Sequence, residues 1–339
     1  MFFFQENSTR YKWLITGVAG FIGSHLLEFL LKNHQEVIGI DNFATGSQKN
    51  LNDVYLNVGE QNWKNFNFYE KNISNYEEIT ELFDGVDFVL HQAALGSVPR
   101  SFKYPLQTNE VNISGFLNIL ECCRNNNILN LVYASSSSVY GDSNILPKKE
   151  NIIGNPLSPY AITKSVNELY ADVYSKNFGI STIGLRYFNV FGPRQNPNGA
   201  YAAVIPKWMN SIAKNEEVYI NGDGTTSRDF CYIQNVIQAN FLAVQRNLIS
   251  KESEIYNIAF GESNTLSTLY ELITNEFKEN GQLLSVNLKF NDFREGDILH
   301  SLADITNAKN DLNYSPEYDL SQGIKEYFRW FIKNKNIND

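Results

Sequence analysis

Tyr160 and Lys164 stand four positions apart in Tyr160-Ala161-Ile162-Thr163-Lys164, which puts a phenol and an ammonium on one face of a helix. A free phenol titrates near ~10 and is a poor base at neutral pH, but a neighbouring cation favours its charged form. Tyr160 is therefore a candidate acid/base and Lys164 the group expected to tune it. A run of hydroxyls, Ser135-Ser136-Ser137-Ser138, lies upstream, with Ser136 24 residues before Tyr160.

A second chemical segment is Gly17-Val18-Ala19-Gly20-Phe21-Ile22-Gly23, with glycines spaced three and three. Gly17 permits a tight turn, Gly20 lets backbone N–H groups approach a pyrophosphate, and Gly23 lets the following helix pack against a sheet. Asp41 follows Gly17 by 24 residues, where a carboxylate accepts hydrogen bonds from the hydroxyls of an adenosine ribose and repels a 2′-phosphate. NAD is favoured over NADP on that ground.

The elements that must position these groups follow from periodicity. Segments 13–16, 37–40, 66–69, 86–91, 129–134 and 181–185 read as strands, and 23–33, 76–83, 105–125 and 159–178 as helices. The alternation predicts right-handed βαβ units, a parallel sheet with helices on both faces, and chemistry just beyond the carboxyl ends of the strands. The texture changes after Tyr187. Asn189 to Gly199 is rich in turn formers, followed by helices near 203–215, 233–247, 268–279 and 320–334 and a short strand at 218–221. The expected fold is α/β: a Rossmann-type doubly wound parallel sheet over residues 1–190 and a smaller mixed α/β substrate domain over 191–339, with some segments returning to the first domain.

Composition narrows the partners. With 28 Lys+Arg against 37 Asp+Glu in 339 residues, the formal charge of −9 argues against nucleic acid. The chain is 43% hydrophobic and 19% charged, enough to bury a large core. No apolar run approaches the ~20 residues of a membrane helix, and Phe2-Phe3-Phe4 is too short for a secretory signal. A soluble cytoplasmic protein is the expectation. Three cysteines, two adjacent at Cys122 and Cys123, fit neither a disulfide framework nor a metal site.

Taken together, Gly17/Gly20/Gly23, Asp41, His91-Gln92-Ala93-Ala94, Ser136 in Ser-Ser-Ser-Ser-Val-Tyr-Gly, Tyr160/Lys164, Arg186 to Pro193 and Arg228-Asp229-Phe230 resemble the extended short-chain dehydrogenase/reductases. Within them the chain resembles the nucleotide-sugar 4-epimerases, and Arg294 to Asp304 extends the likeness nearly to the end. The resemblance implies NAD held by Gly17, Gly20, Phe21, Ile22, Gly23, Asp41, Asn42, Asn72, Ile73, Gln92, Ala93, Ala94, Tyr160, Lys164 and Tyr187. Asn72 departs from the Asp usual near the adenine amine, though Asn still accepts a hydrogen bond.

The same resemblance implies that Ser136 and Tyr160 hold the sugar 4-hydroxyl. Tyr160 takes its proton while C4 gives up a hydride to NAD, and the 4-keto sugar turns over and takes the hydride back on its other face. Arg228, Arg294 and Asn189 are implied to grip the diphosphate, guanidinium forks being suited to phosphate oxygens. Gly96, Ser97, Ser137, Gln195, Ala203, Asp297 and Ser301 are implied to complete the substrate pocket. No Asp-Glu pair follows the serine position, which argues against a dehydratase.

Ser301 stands where galactose-restricted relatives carry a bulky Tyr, leaving room for an acetamido group at C2. The expected reaction is UDP-GlcNAc/UDP-GalNAc interconversion with some action on UDP-Glc/UDP-Gal, in supply of polysaccharide or glycan precursors. Alternatives are a 4-epimerase of UDP-GlcNAcA/UDP-GalNAcA or of the plain hexoses, a reductase releasing NADH, and, in another class, a non-catalytic NAD-binding module. Helices 105–125 and 159–178 resemble those that pair across a two-fold axis, which implies a homodimer.

Overall fold

The computed structural model describes residues 9–197, 203–282, 286, 288–293 and 299–335. The first half alternates as its periodicity requires: β1 (Lys12–Thr16), α1 (Phe21–Lys32), β2 (Glu36–Asp41), α2 (Gln48–Trp63), β3 (Phe66–Glu70), α3 (Tyr76–Ile79) and β4 (Phe88–His91). There follow α4 (Val98–Lys103), α5 (Pro105–Asn109), a π turn at Glu110–Ser114, α6 (Gly115–Asn125), β5 (Asn130–Ser136), α7 (Pro159–Phe178) and β6 (Ser181–Tyr187). The second half holds β7 (Val190–Phe191), α8 (Val204–Ala213), β8 (Val218–Asn221), β9 (Ser227–Arg228), β10 (Cys231–Tyr232) and α9 (Ile233–Ser250). It ends with β11 (Ser253–Ile258), β12 (Asn264–Thr265), α10 (Leu266–Glu279), β13 (Leu288–Asn291), α11 (Thr306–Leu312) and α12 (Leu320–Lys335).

Seven strands form one sheet in the order β11-β6-β5-β4-β1-β2-β3, and every pairing in it is parallel. The order reverses between β1 and β4, the switch point at which such sheets open a crevice. Buried helices cover the sheet and β1, β4 and β6 are buried throughout or nearly so, as a two-faced parallel sheet demands. Strand β11, from the second half, closes the β6 edge of this sheet in parallel register. The remaining pairs, β7 with β10, β9 with β12 and β8 with β13, are small and lie outside it.

Several elements differ from the sequence reading. Strand β4 starts at Phe88 rather than 86, because Val86 N turns back to Phe83 O and Asp87 N bonds Lys12 O. Segment 76–83 divides into α3 and a 3₁₀ turn at Thr80–Phe83. Helix α2 was not expected, since Gly59 at φ 75° interrupts its pattern. The 105–125 helix is broken by its π turn, which aims the buried Asn112 at Leu95, accepting from Leu95 N at 2.8 Å and donating to Leu95 O at 3.2 Å. That fixes the loop after β4. Among the described residues no helix is long and apolar enough to cross a membrane, and no cluster of metal-ligand side chains occurs.

Candidate active site

The sheet's carboxyl edge opens into a cleft of about 1140 Å³, at or above the upper range for a site holding one drug-sized ligand, ~300–1,000 Å³. The glycine turn forms one end. Gly17 has φ 70°, and a Cβ there would lie 2.7 Å from Ala93 N, so only glycine lets β1's turn seat against the loop after β4. A Cβ at Gly23 would lie 2.1 Å from Gly17 O, so the first turn of α1 sits directly on that loop. Gly20 caps α1 without offering a side chain, and no acidic residue stands in its first turn. The positive helix end is thus left to an outside anion, and the donor set fits the pyrophosphate of a dinucleotide.

Asp41 lines the same cleft from the end of β2. Its Oδ2 accepts from Ala19 N at 2.9 Å and its Oδ1 from Phe43 N at 2.8 Å, which leaves acceptor capacity on both oxygens. Burial raises its pKa above the usual carboxylate value, against these N–H donors. Phe21, Ile22, Gln92, Ala93, Ala94 and Tyr187 also line the cleft. Tyr187 accepts from Asn240 Nδ2 at 2.9 Å, and its hydroxyl lies 3.3 Å from Gln92 Oε1, which ties β6 to the loop after β4. Asn42, Asn72 and Ile73 are not among the lining residues. Asn72 Oδ1 accepts from Ser74 N at 3.0 Å, and Ile73 is buried in the core. A segment the sequence reading passed over, Ala44 to Ser47, does line the cleft. Its Thr-Gly-Ser turn formers directly after β2 were the available signal.

The chemical groups converge at the far end. Ser136 closes β5, while Tyr160 and Lys164 come from α7, whose N-cap Ser158 accepts from Ala161 N and whose Pro159 starts it. Burial holds the Tyr160 phenol above its ordinary pKa, with the Ser136 hydroxyl acting the other way. Lys164, the group expected to tune it, shares the pocket: its Nζ donates to Ala134 O at 2.7 Å and lies 6.0 Å from the Tyr160 ring centroid. Burial brings Lys164 itself down to about 8, opposed by Glu168. His91, under this edge, is held down to about 3 by burial and by Lys164, and is neutral, its Nδ1 2.7 Å from Thr16 Oγ1.

The substrate-side candidates divide. Gly96, Ser97, Gln195 and Ala203 line the cleft, and nothing lies within 4 Å of a Cβ placed on Gly96. Ser137, Asn189, Arg228 and Ser301 do not line it. Ser137 sits in a 3₁₀ turn, and Asn189 Nδ2 donates to Asp229 O at 3.1 Å. Arg228 Nη1 donates to Ser227 O at 2.9 Å and Leu299 O at 3.1 Å, and Ser301 N donates to Ser227 O at 3.1 Å, so Arg228 and Ser301 flank one short strand contact. Arg294 and Asp297 lie outside the described residues.

Arg194 was also missed. It is 8% exposed, its Nε donates to Asp53 Oδ2 at 2.7 Å, and its Nη2 pairs with Glu28. His25 Nε2 donates to Pro193 O at 3.0 Å beside it. The loop after β7 is therefore bolted to α1 and α2, a contact between distant segments that local pattern does not reveal.

Residues 13–259 match the family described as the NAD dependent epimerase/dehydratase family. A UDP-N-acetylglucosamine 4-epimerase from Methanobrevibacter ruminantium, solved with UDP-N-acetylmuramic acid, superposes with a TM-score of 0.87 at 36% identity, over 96% of this chain and 100% of that one. The UDP-glucose 4-epimerase of Thermotoga maritima, solved with UDP-glucose, gives 0.85 at 32% over 96% and 99%. The UDP-glucuronic acid 4-epimerase of Bacillus cereus, solved with UDP-glucuronic acid and NAD, gives 0.82 at 32% over 95% and 99%.

Proposed function

The chain belongs to the NAD-dependent epimerase/dehydratase family, and from that premise we propose that it is a NAD-dependent UDP-hexose 4-epimerase acting best on UDP-GlcNAc and UDP-GalNAc. One observation carries the reading: a single cleft joins the glycine turn and Asp41 to Ser136, Tyr160 and Lys164. The similar solved enzymes are 4-epimerases of UDP-sugars that differ in their hexose, which supports the reaction more broadly than the sugar.

The glycine turn and Asp41 would hold NAD, which when bound would supply a reversible hydride acceptor. Tyr160 Oη takes the proton of the 4-hydroxyl and later returns it to the 4-keto sugar, with the Ser136 hydroxyl as a second hydrogen-bond partner. Lys164, charged below about pH 8, stabilises negative charge on the phenol across the shared pocket.

The sugar preference rests on the small residue at Ser301, outside the cleft lining, whose backbone N donates to Ser227 O next to Arg228. Ser301→Tyr is expected to lower kcat/KM for UDP-GlcNAc relative to UDP-Glc by about 1–3 kcal/mol, 10–200-fold. NMR assays of UDP-GlcNAc, UDP-Glc and UDP-GlcNAcA in parallel read this, and an unchanged ratio removes Ser301 from the specificity argument.

Helix α7 also supports a homodimer. Tyr160, Lys164 and Glu168 share its inward face, while Ile162, Leu169 and Val173, 49%, 67% and 49% exposed, share the opposite one. A second chain packed on this face would cover that exposed apolar row. Sedimentation equilibrium should give the mass of two chains, and the mass of one chain at micromolar concentration contradicts the dimer.

A further inference from the structure

Three consecutive residues at the carboxyl end of β5 meet three successive turns of α7. Ala134 O accepts from Lys164 Nζ at 2.7 Å, the Ser135 hydroxyl donates to Glu168 Oε1 at 2.5 Å, and the Ser136 hydroxyl acts on the Tyr160 phenol. Glu168 is 7% exposed and takes a two-pronged grip from Arg186, Nε to Oε1 at 2.9 Å and Nη2 to Oε2 at 2.8 Å. Arg186 faces Ser135 in the β5–β6 register, and its Nη1 donates to Tyr140 Oη at 3.0 Å and Glu150 O at 2.9 Å. The carboxylate is thus satisfied on both oxygens by β5 and β6. A buried charge so paired is tolerated, and removing one partner leaves the other uncompensated.

We propose that Glu168 is a positioning residue for the epimerisation, locking the serine end of β5 to α7 and holding the Lys164 ammonium in the register that Tyr160 needs. The proposal rests on the 4-epimerase reading of the cleft. Glu168 is the α7 side chain that accepts from the Ser135 hydroxyl, and so ties the strand beside Ser136 to the helix that carries Tyr160.

The surroundings of Lys164 make the claim measurable. Tyr160, Glu168 and Asp172 lie on its own helix, His91 on β4, Tyr133 on β5, and Arg186 and Tyr187 on β6. His91 is neutral, and burial keeps Tyr133 and Tyr187 neutral. Burial lowers Lys164, and Glu168 is the carboxylate that opposes this.

The test uses the NAD-loaded protein with ¹³Cε-labelled lysine, Lys164 being assigned by its loss in Lys164→Arg. The wild-type Lys164 midpoint is expected near about 8. In Glu168→Gln it should fall by about one unit or more, the alkaline limb of the epimerisation rate should move the same way, and Glu168→Asp should restore most of both. An unmoved midpoint with a rate profile that superimposes on wild type after scaling overturns the proposal. If Glu168→Gln fails to fold by circular dichroism, Ser135→Ala decides, because it keeps the Arg186 pair. It should lower kcat a few-fold to about tenfold with KM and the Lys164 midpoint unmoved, and a wild-type kcat overturns the proposal. A wild type that epimerises no UDP-hexose refutes the 4-epimerase reading instead, and the Lys164 midpoint still reports on the hold of Glu168.

Discussion

Tyr160→Phe is expected to lower kcat for 4-epimerisation by about 10²–10⁴-fold, the range assigned to a positioned acid/base. KM for the nucleotide sugar and retention of NAD should change little. Tyr160 lines the cleft together with Ser136 and Lys164, and Phe keeps its ring there. Removing one hydroxyl therefore removes the proton carrier and leaves the cavity shape. Burial raises the phenol's pKa in the protein without ligand, so its proton must be lost against that burial, and Phe offers no substitute. Single-turnover assays with cofactor content measured in the same samples check this. Turnover within tenfold of wild type takes Tyr160 out of the mechanism.

Gly23→Val should abolish cofactor retention. In most helix interiors, replacing glycine gains helix propensity. Here a Cβ would stand 2.1 Å from Gly17 O, 2.8 Å from Gly17 C and 3.0 Å from Val18 Cα, all backbone atoms that cannot swing aside. Either the turn or the start of α1 must move, at about 1–3 kcal/mol or more, and both carry the N–H groups aimed at the pyrophosphate. The expected result is a folded protein with lowered Tm that purifies without NAD and is inactive. A variant that retains NAD as wild type does contradicts the assigned role of this turn.

The parallel sheet was legible because its strands are short runs alternating with segments of helical period, and that period also gave 159–178, which the structure closes with Ser158 at its N-cap and Gly179 at its C-cap. Tyr160, Lys164, Ser136 and the glycine turn were legible because each chemistry imposes a local spacing. Contacts across the fold were not. That Asp53 and Glu28 meet Arg194, or that Glu168 meets Ser135 and Arg186, depends on which elements the topology sets side by side. Periodicity within one segment carries no such information. The same limit explains Lys164: four-residue spacing correctly put it on the face of Tyr160, while the turn of its ammonium toward Ala134 O is set by β5. Strand β11, Ser253–Ile258, mixes polar and apolar residues and was not read as a strand, and its parallel pairing with β6 makes it the seventh.

The central claim is that the C4 hydrogen leaves the sugar as a hydride, stays within the protein and returns to the same carbon. Incubating the protein with UDP-GlcNAc deuterated at C4, in ordinary water, tests it most directly. NMR and mass spectrometry of the equilibrated sugars should find the deuterium still at C4 in both epimers, with a primary isotope effect on the rate. Deuterium washed out into water during epimerisation would instead mean that the carbon loses a proton to solvent, and the account would be wrong.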